Sequence, residues 1–303
     1  MEIGSPYIAI VEELVARRLG GAVHHLDAEA VHSARQNRCY LKHRLETSQG
    51  HEILAFSKGG AAFKVNDPLE RFLSDVSSDA FAVPKFFGSA ESDGLTVAVW
   101  SYVSGPRVKR FHHLARADLC RVVRAVGAMN ALTDEARRRL PELRLRGVEV
   151  VAAGRLKQAL KEFDDSESGA LLAEVESYEA AADRTQRRLG EINTRVFSHQ
   201  DIVGRNIVLP DSDPPIFIDW ENASFAVPGS CLRRFCLLDL ALQKELAAHY
   251  VAFMADKGQI LNPEDVLFVM GAAQIQAALR QGLKRRKITL LRWALAAVKT
   301  YLQ

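Results

Sequence analysis

The chain has 303 residues, 48% of them apolar, which is enough for a sizeable core and, by length, for two compact units. That excludes disordered, collagen-like and small disulfide-stapled classes. Lys and Arg number 40 against 37 Asp and Glu, a net charge of +3 that is too balanced to indicate nucleic-acid binding from bulk charge.

The first predicted element is an amphipathic helix over Ser5 to Leu19, with Ile8, Val11, Leu14, Val15 and Leu19 recurring at helical spacing. From Cys39 to Phe63 short apolar runs such as Cys39-Tyr40-Leu41 and Ile53-Leu54-Ala55-Phe56 alternate with Ser48-Gln49-Gly50 and Gly59-Gly60, the pattern of an antiparallel meander. Asn66-Asp67-Pro68 caps a short helix carrying Leu69, Phe72 and Leu73. Two further strands are expected at Ala82–Phe87 and Leu95–Tyr102, joined by the polar turn Glu91 to Gly94. Beyond Gly105-Pro106 helices are predicted at about 116–139, 151–163, 169–189, 233–255, 264–281 and 287–302. Within them, 194–219 is a strand-rich island: Thr194 to Phe197, Ile207 to Leu209 and Ile216 to Ile218 are short apolar or β-branched runs enclosing polar loops. The organisation expected is α+β, with a small sheet-bearing unit over 1–103, a larger helical unit over 104–303, and the island facing a cleft between them.

Cys39, Cys120, Cys231 and Cys236 show no C-x-x-C spacing and suit a reducing compartment. The N-terminus carries Glu2, Glu12 and Glu13 where a secretory signal has basic residues and then an apolar stretch. The longest uncharged run toward the C-terminus, Val266 to Leu279, contains two glutamines and is shorter than the roughly 20 residues of a spanning helix. A cytoplasmic protein with no membrane partner is the expectation.

The island reads Phe197-Ser198-His199-Gln200-Asp201-Ile202-Val203-Gly204-Arg205-Asn206, then Ile216-Phe217-Ile218-Asp219-Trp220-Glu221. Strand ends hold loops rigidly, so Asp201, Asn206 and Asp219 can converge on one point, and two carboxylates with an amide oxygen suit Mg²⁺ that also meets substrate phosphate. The alternative for both acids is a turn or strand-end residue with local hydrogen bonds.

The pattern H-x-D-x-x-x-x-N, an apolar strand and I-D-W-E resembles the catalytic core of the aminoglycoside phosphotransferase and choline kinase group, relatives of the protein kinases. The resemblance implies a two-lobed protein-kinase-like fold and an ATP- and Mg²⁺-dependent transfer of the γ-phosphate to a hydroxyl of a small molecule, an antibiotic or a metabolite. It implies Asp201 as the catalytic base, His199 beside it as a buttress of the loop, and Asn206 and Asp219 as the Mg²⁺ ligands. It also implies a nucleotide clamp: Lys58 on the phosphates, with Lys64 and Lys42 as competitors, and Glu70 holding the lysine. Ala82-Val83-Pro84-Lys85-Phe86 supports that register. Ser33 and Asn37, within Ser33-Ala34-Arg35-Gln36-Asn37, stand where the group has its phosphate loop, here without glycines. Trp100-Ser101-Tyr102 stands where adenine meets the backbone. Val203 replaces the lysine that protein kinases place two positions beyond the base, with Arg205 as the candidate substitute. The D-L-A signature comes late, as Asp239-Leu240-Ala241, behind an insertion at Ser224 to Phe235.

A protein kinase is the alternative, weakened by Val203 and by the lack of an A-P-E activation segment; an inactive nucleotide-binding regulator is the other. Residues 222–303 carry 11 Lys and Arg against 5 Asp and Glu, a poor lining for a polycationic acceptor. Lys284-Arg285-Arg286-Lys287 reads as a solvated helix end rather than a nucleic-acid patch.

Overall fold

The computed structural model of the protein describes residues 5–31, 38–61, 63–92, 94–163 and 165–302. The chain divides into two compact units, Met1–Pro106 together with Val208–Glu221, and Arg107–Ile207 together with Asn222–Gln303.

The first unit is built from helix α1 (Ser5–Leu19), strands β1 (Val23–Ala30), β2 (Arg38–Thr47) and β3 (Glu52–Gly60), helix α2 (Asp67–Asp75), and strands β4 (Phe86–Ser92) and β5 (Leu95–Ser101). The strands form one antiparallel sheet in the order β1-β2-β3-β5-β4. The apolar stripe of α1, Tyr7, Val11, Leu14 and Val15, packs with Val23, Leu41, Leu45, Ala55, Val97 and Val99 of the sheet, which is why its helical spacing was legible. Strand β1 carries no such signal: in Val-His-His-Leu-Asp-Ala-Glu-Ala only Val23 is buried, because this is an edge strand. Asn66 Oδ1 accepts from Leu69 N at 3.2 Å and Pro68 sits in the first turn of α2, as the capping pattern predicts. The expected strand at Ala82–Phe87 begins later, at Phe86. Ala82 is instead bridged to Ile216, with Ala82 N to Pro215 O at 2.9 Å and Phe217 N to Ala82 O at 3.0 Å. These bonds bind the segment 208–221 into the first unit, where strand β8 (Ile207–Val208) also pairs with β9 (Ile216–Phe217).

The second unit holds α3 (Arg116–Ala131), α4 (Thr133–Arg139), β6 (Leu145–Arg146), α5 (Ala153–Leu160), α6 (Asp165–Glu191), β7 (Val196–Ser198), β10 (Ser224–Ala226), α7 (Leu240–Asp256), α8 (Pro263–Arg285) and α9 (Ile288–Tyr301). Its larger core joins Leu156 and Leu160 of α5, Val175 and Tyr178 of α6, Ile275 and Leu279 of α8, and Leu291 and Leu295 of α9. The uncharged run of α8 is buried on nearly every side, and among the described residues no helix is long and apolar enough to cross a membrane. The single helix expected at 116–139 breaks at Leu132, and the one expected at 233–255 is a 3-10 segment, Ser230–Leu237, followed by α7 with Asp239 as its N-cap. Strands β6, β7 and β10 form a small sheet in the order β6-β10-β7, with β10 lying in the segment read from sequence as an insertion.

Candidate active site

In the second unit the polar loop follows β7, and that strand is fixed before the loop begins. Asn130 Nδ2 donates to Phe197 O at 2.6 Å, Phe197 N donates to Thr133 Oγ1 at 2.9 Å, and Tyr250 OH donates to Asn130 Oδ1 at 2.7 Å, all buried. Low surrounding polarity strengthens such bonds and makes their loss costly. Beyond Ser198 the chain turns on Gln200, whose φ of +62° is one of three positive values among the described non-glycine residues. Gln200 is held in that left-handed backbone by its side-chain bonds to Ser198 Oγ and Ser230 Oγ, each 3.0 Å.

The turn delivers Asp201, whose carboxylate is mostly buried. His199 is fully buried, and its Nδ1 accepts from Asp201 N at 3.3 Å. Asn206 Nδ2 donates to Asp201 O at 3.0 Å and to Oδ2 at 3.1 Å. Both donor hydrogens of that amide are thereby engaged, and Oδ1 is the atom left to meet a cation. Between them Gly204 is required by space: a Cβ there would lie 2.1 Å from Val108 O.

Two arginines reach Asp201. Arg205 Nη2 lies 3.5 Å from Oδ2 with its side chain 77% exposed, whereas Arg233 Nη2 lies 3.5 Å from Oδ1 with its side chain 19% exposed. Arg233 also donates to Gln200 O at 2.8 Å, its buried Nε has no hydrogen-bond partner, and burial draws its guanidinium below the usual range. Sequence reasoning missed Arg233 because it sits in the segment taken for a loop-lengthening insertion. The only signal was the Arg233-Arg234 pair in an otherwise apolar run.

In the first unit Lys58, on β3 between Tyr40 of β2 and Ala98 of β5, is buried. Its Nζ lies 3.7 Å from Asp219 Oδ1, forms a close ion pair with Glu221, and sits over the rings of Phe63 and Tyr40 at 5.1 and 5.6 Å. Arg38 Nη1 is 3.7 Å from the other oxygen of Glu221. Desolvation lowers the Lys58 pKa, an effect that Asp219 opposes and Arg38 reinforces. Of its competitors, Lys42 is paired with Glu29 at 2.7 Å on the sheet surface and Lys64 is exposed. Asp219 is another positive-φ residue, at +65°.

The expected Lys58–Glu70 pair is not among the ion pairs of either residue. Glu70 instead accepts from Trp100 Nε1 at 2.8 Å, and burial pushes its pKa up to about 7 while that bond and the charge of Lys58 pull it down. Glu221, the last residue of I-D-W-E, is instead the acid that pairs closely with Lys58. Ser101 N donates to Lys85 O and Tyr102 N to Leu54 O, so the amide donors of both residues are engaged within the sheet. Ser33 and Asn37 lie outside the described residues. Beneath Lys58 runs a buried chain: Tyr7 OH and His43 Nε2 meet Ser57 Oγ at 2.9 and 2.7 Å, and His43 Nδ1 meets His25 Nε2 at 3.0 Å. Burial, helped by His25, holds the His43 imidazole down to about 4.

The sequence profile described as the phosphotransferase enzyme family (APH) matches residues 19–252. The chain belongs to that family. It is a phosphotransferase. No curated protein matches the chain in sequence. Among solved structures, this phosphotransferase is similar to a spectinomycin phosphotransferase in complex with ADP and spectinomycin (13% identity, TM-score 0.56, 100% of this chain and 96% of that one). It is similar also to a choline kinase from Cryptosporidium parvum Iowa II (13%, 0.58, 91% and 88%) and to a macrolide 2'-phosphotransferase from Brachybacterium faecium (15%, 0.51, 96% and 97%). At such identities the likeness shows the fold, the protein-kinase-like α+β fold expected from the sequence. A cavity of about 740 Å³ in the second unit, between α6 and α8, shares no lining residue with the loop that carries Asp201 and Asn206.

Proposed function

We propose that the phosphotransferase moves the γ-phosphate of ATP to the hydroxyl of a small molecule, with Asp201 as the catalytic base. The observation that carries the reading is the fixation of Asp201: a left-handed residue before it, an asparagine amide bonded to both its backbone and its carboxylate, and Arg233 on its other oxygen. Phosphoryl transfer asks a protein mainly for alignment and for neutralisation of negative charge, and such a rigid carboxylate serves the first need. Asp201 takes the proton of the acceptor hydroxyl as that oxygen bonds to the γ-phosphorus and the bond to the ADP oxygen breaks. His199 keeps the loop in shape from its buried position. Arg233 is a positioning residue for Asp201.

Lys58 serves the second need by meeting the nucleotide phosphates; Glu221 and Asp219 hold its ammonium in place. Asn206 Oδ1 and the half-exposed Asp219 carboxylate are the hard oxygen donors for Mg²⁺, and the chemistry of that donor set fits the ion. When bound, Mg²⁺ supplies charge neutralisation at the phosphate oxygens. Glu70, Trp100, Ser101 and Tyr102 line the nucleotide side of the first unit in this reading, with base contacts left to carbonyl groups and to the residues beyond Tyr102.

The acceptor we propose is neutral or anionic, because the segment 222–303 has more than twice as many basic as acidic residues. A screen of ATP consumption over aminoglycosides, macrolides, amino alcohols, sugars and nucleosides tests this, and turnover confined to polycationic aminoglycosides would refute it. For the base, Asp201→Asn should lower kcat by about 10²–10⁴-fold with nucleotide affinity unchanged. Undiminished turnover removes Asp201 from the role.

A further inference from the structure

We propose that Cys120, Glu245 and His249 form a binding site for a borderline divalent cation of the Zn²⁺ type, clasping α3 to α7 at a place separate from the phosphotransfer residues. Three ligand atoms, one from each side chain, lie within 4.8 Å of one another. Glu245 and His249 stand four residues apart on α7 and therefore share one face of it, while Cys120 comes from α3. The two helices are in close contact farther along, where a Cβ on Gly127 would meet the Phe253 ring at 2.7 Å. The ligands thus stand on rigid elements that need no ordering when a cation enters.

The donor set decides the class of ion. Thiolate, imidazole and carboxylate are the ligands of Zn²⁺ and its neighbours, whereas Mg²⁺ takes oxygen only, so this site does not compete for the ion of the phosphotransfer reaction. Three protein ligands leave a fourth position of a tetrahedron to water. The existing ion pairs leave room for the metal. Arg116 Nε at 2.6 Å and His249 Nε2 at 3.5 Å both contact Oε1 of Glu245, leaving Oε2 to coordinate while Arg116 continues to hold the carboxylate from outside. Cys120 is half-buried and forms no disulfide. Ion pairing accounts for Arg116, Glu245 and His249 but gives no reason for a thiol beside them.

The site is also tied to the catalytic loop. His249 precedes Tyr250, whose hydroxyl bonds Asn130 of α3, and Asn130 in turn bonds Phe197 O, the strand residue ahead of His199 and Asp201. A cation that clasps α3 to α7 stiffens the pair of helices on which that strand is pinned.

The test uses the full-length, metal-stripped protein titrated with Co²⁺ as the spectroscopic probe. One Co²⁺ per chain is expected, with the visible bands of a four-coordinate ion and a thiolate-to-cobalt charge-transfer band, displaced by equimolar Zn²⁺ and untouched by excess Mg²⁺. Cys120→Ser should abolish the charge-transfer band, and His249→Gln should weaken Co²⁺ binding at least 10-fold. Zn²⁺ at about 100 times its dissociation constant should raise the melting temperature of the native protein by roughly 5 °C. Melting of the metal-stripped variants reports whether they fold, and His249→Gln, an exposed position, guards against failure of the cysteine variant. A six-coordinate spectrum, or a charge-transfer band that survives Cys120→Ser, overturns the proposal.

Discussion

The loop from Val196 to Asn206 and the patch around Lys58 hold their functional groups by opposite means. In the loop, Asp201 is positioned mostly through neutral hydrogen bonds made by buried amides, hydroxyls and backbone, with the arginines adding to an arrangement already defined. In the patch, Lys58 is positioned by charges: Asp219 and Glu221 attract it, Arg38 shares Glu221, and aromatic faces surround it. A geometry set by hydrogen bonds is directional and tolerates no change of shape. One set by charges tolerates shape changes but depends on every partner keeping its ionisation.

The sharpest break in this comparison is Lys58→Met. It leaves Asp219 and Glu221 without their shared cation, with only Arg38 still beside Glu221, and kcat/KM for the nucleotide should fall by about 10²–10³-fold, read from steady-state kinetics. An unchanged value would move the phosphate contact to another group. Next comes Gly204→Ala, which adds one methyl against Val108 O: it should cost about 1–3 kcal/mol in urea unfolding, and kcat should fall with it, whereas a glycine in an adaptable loop would show neither. Arg233→Lys keeps the charge but not the fork that bonds Gln200 O and Asp201 together. It should reduce kcat by about 10-fold with KM for ATP unchanged, the split expected of a positioning residue.

The smallest expected effects are in pH dependence, and they separate two titrating groups of the first unit, Glu70 and His43, by sign. Glu70, raised to about 7 from the usual 4.5, contributes stability that is present below about 4.5 and lost as pH rises through about 7. The midpoint of urea unfolding should therefore favour the native protein over Glu70→Gln at pH 5 more than at pH 8. His43, lowered to about 4 from 6.5, contributes stability that is present above about 6.5 and lost as pH falls through about 4. His43→Gln should flatten the acid side of the same curve.

The difference between the two regions also explains what was legible. That His199, Asp201 and Asn206 meet could be read because they stand at short offsets within one loop, where they bond one another. Asp219 was legible from I-D-W-E, but its partner Lys58 had to be chosen among three lysines, and burial, which singles it out, is not written in its neighbours. Glu70 was assigned to Lys58 by resemblance. In the structure the indole of Trp100, 30 residues away, takes its carboxylate, and Glu221, from a segment 163 positions beyond Lys58, takes the ammonium. Arg233 was hidden for a similar reason, since a 3-10 segment has no periodicity that a sequence displays as clearly as a helix. Strands β6 and β10, two and three residues long, are too short to produce alternation, whereas β7 was legible from the run Thr194 to Phe197.

Because Val208–Glu221 belongs with Met1–Pro106, the N-terminal compact unit is interrupted by the segment Arg107–Ile207 of the other. During synthesis from the amino end, its sheet can assemble early, yet Lys58 stays without Asp219 and Glu221 until the chain has grown past residue 221. A fragment cut at Pro106 would carry a buried ammonium without its two ion-pair partners, so the nascent protein completes this charge cluster only after the loop bearing Asp201 has already been made.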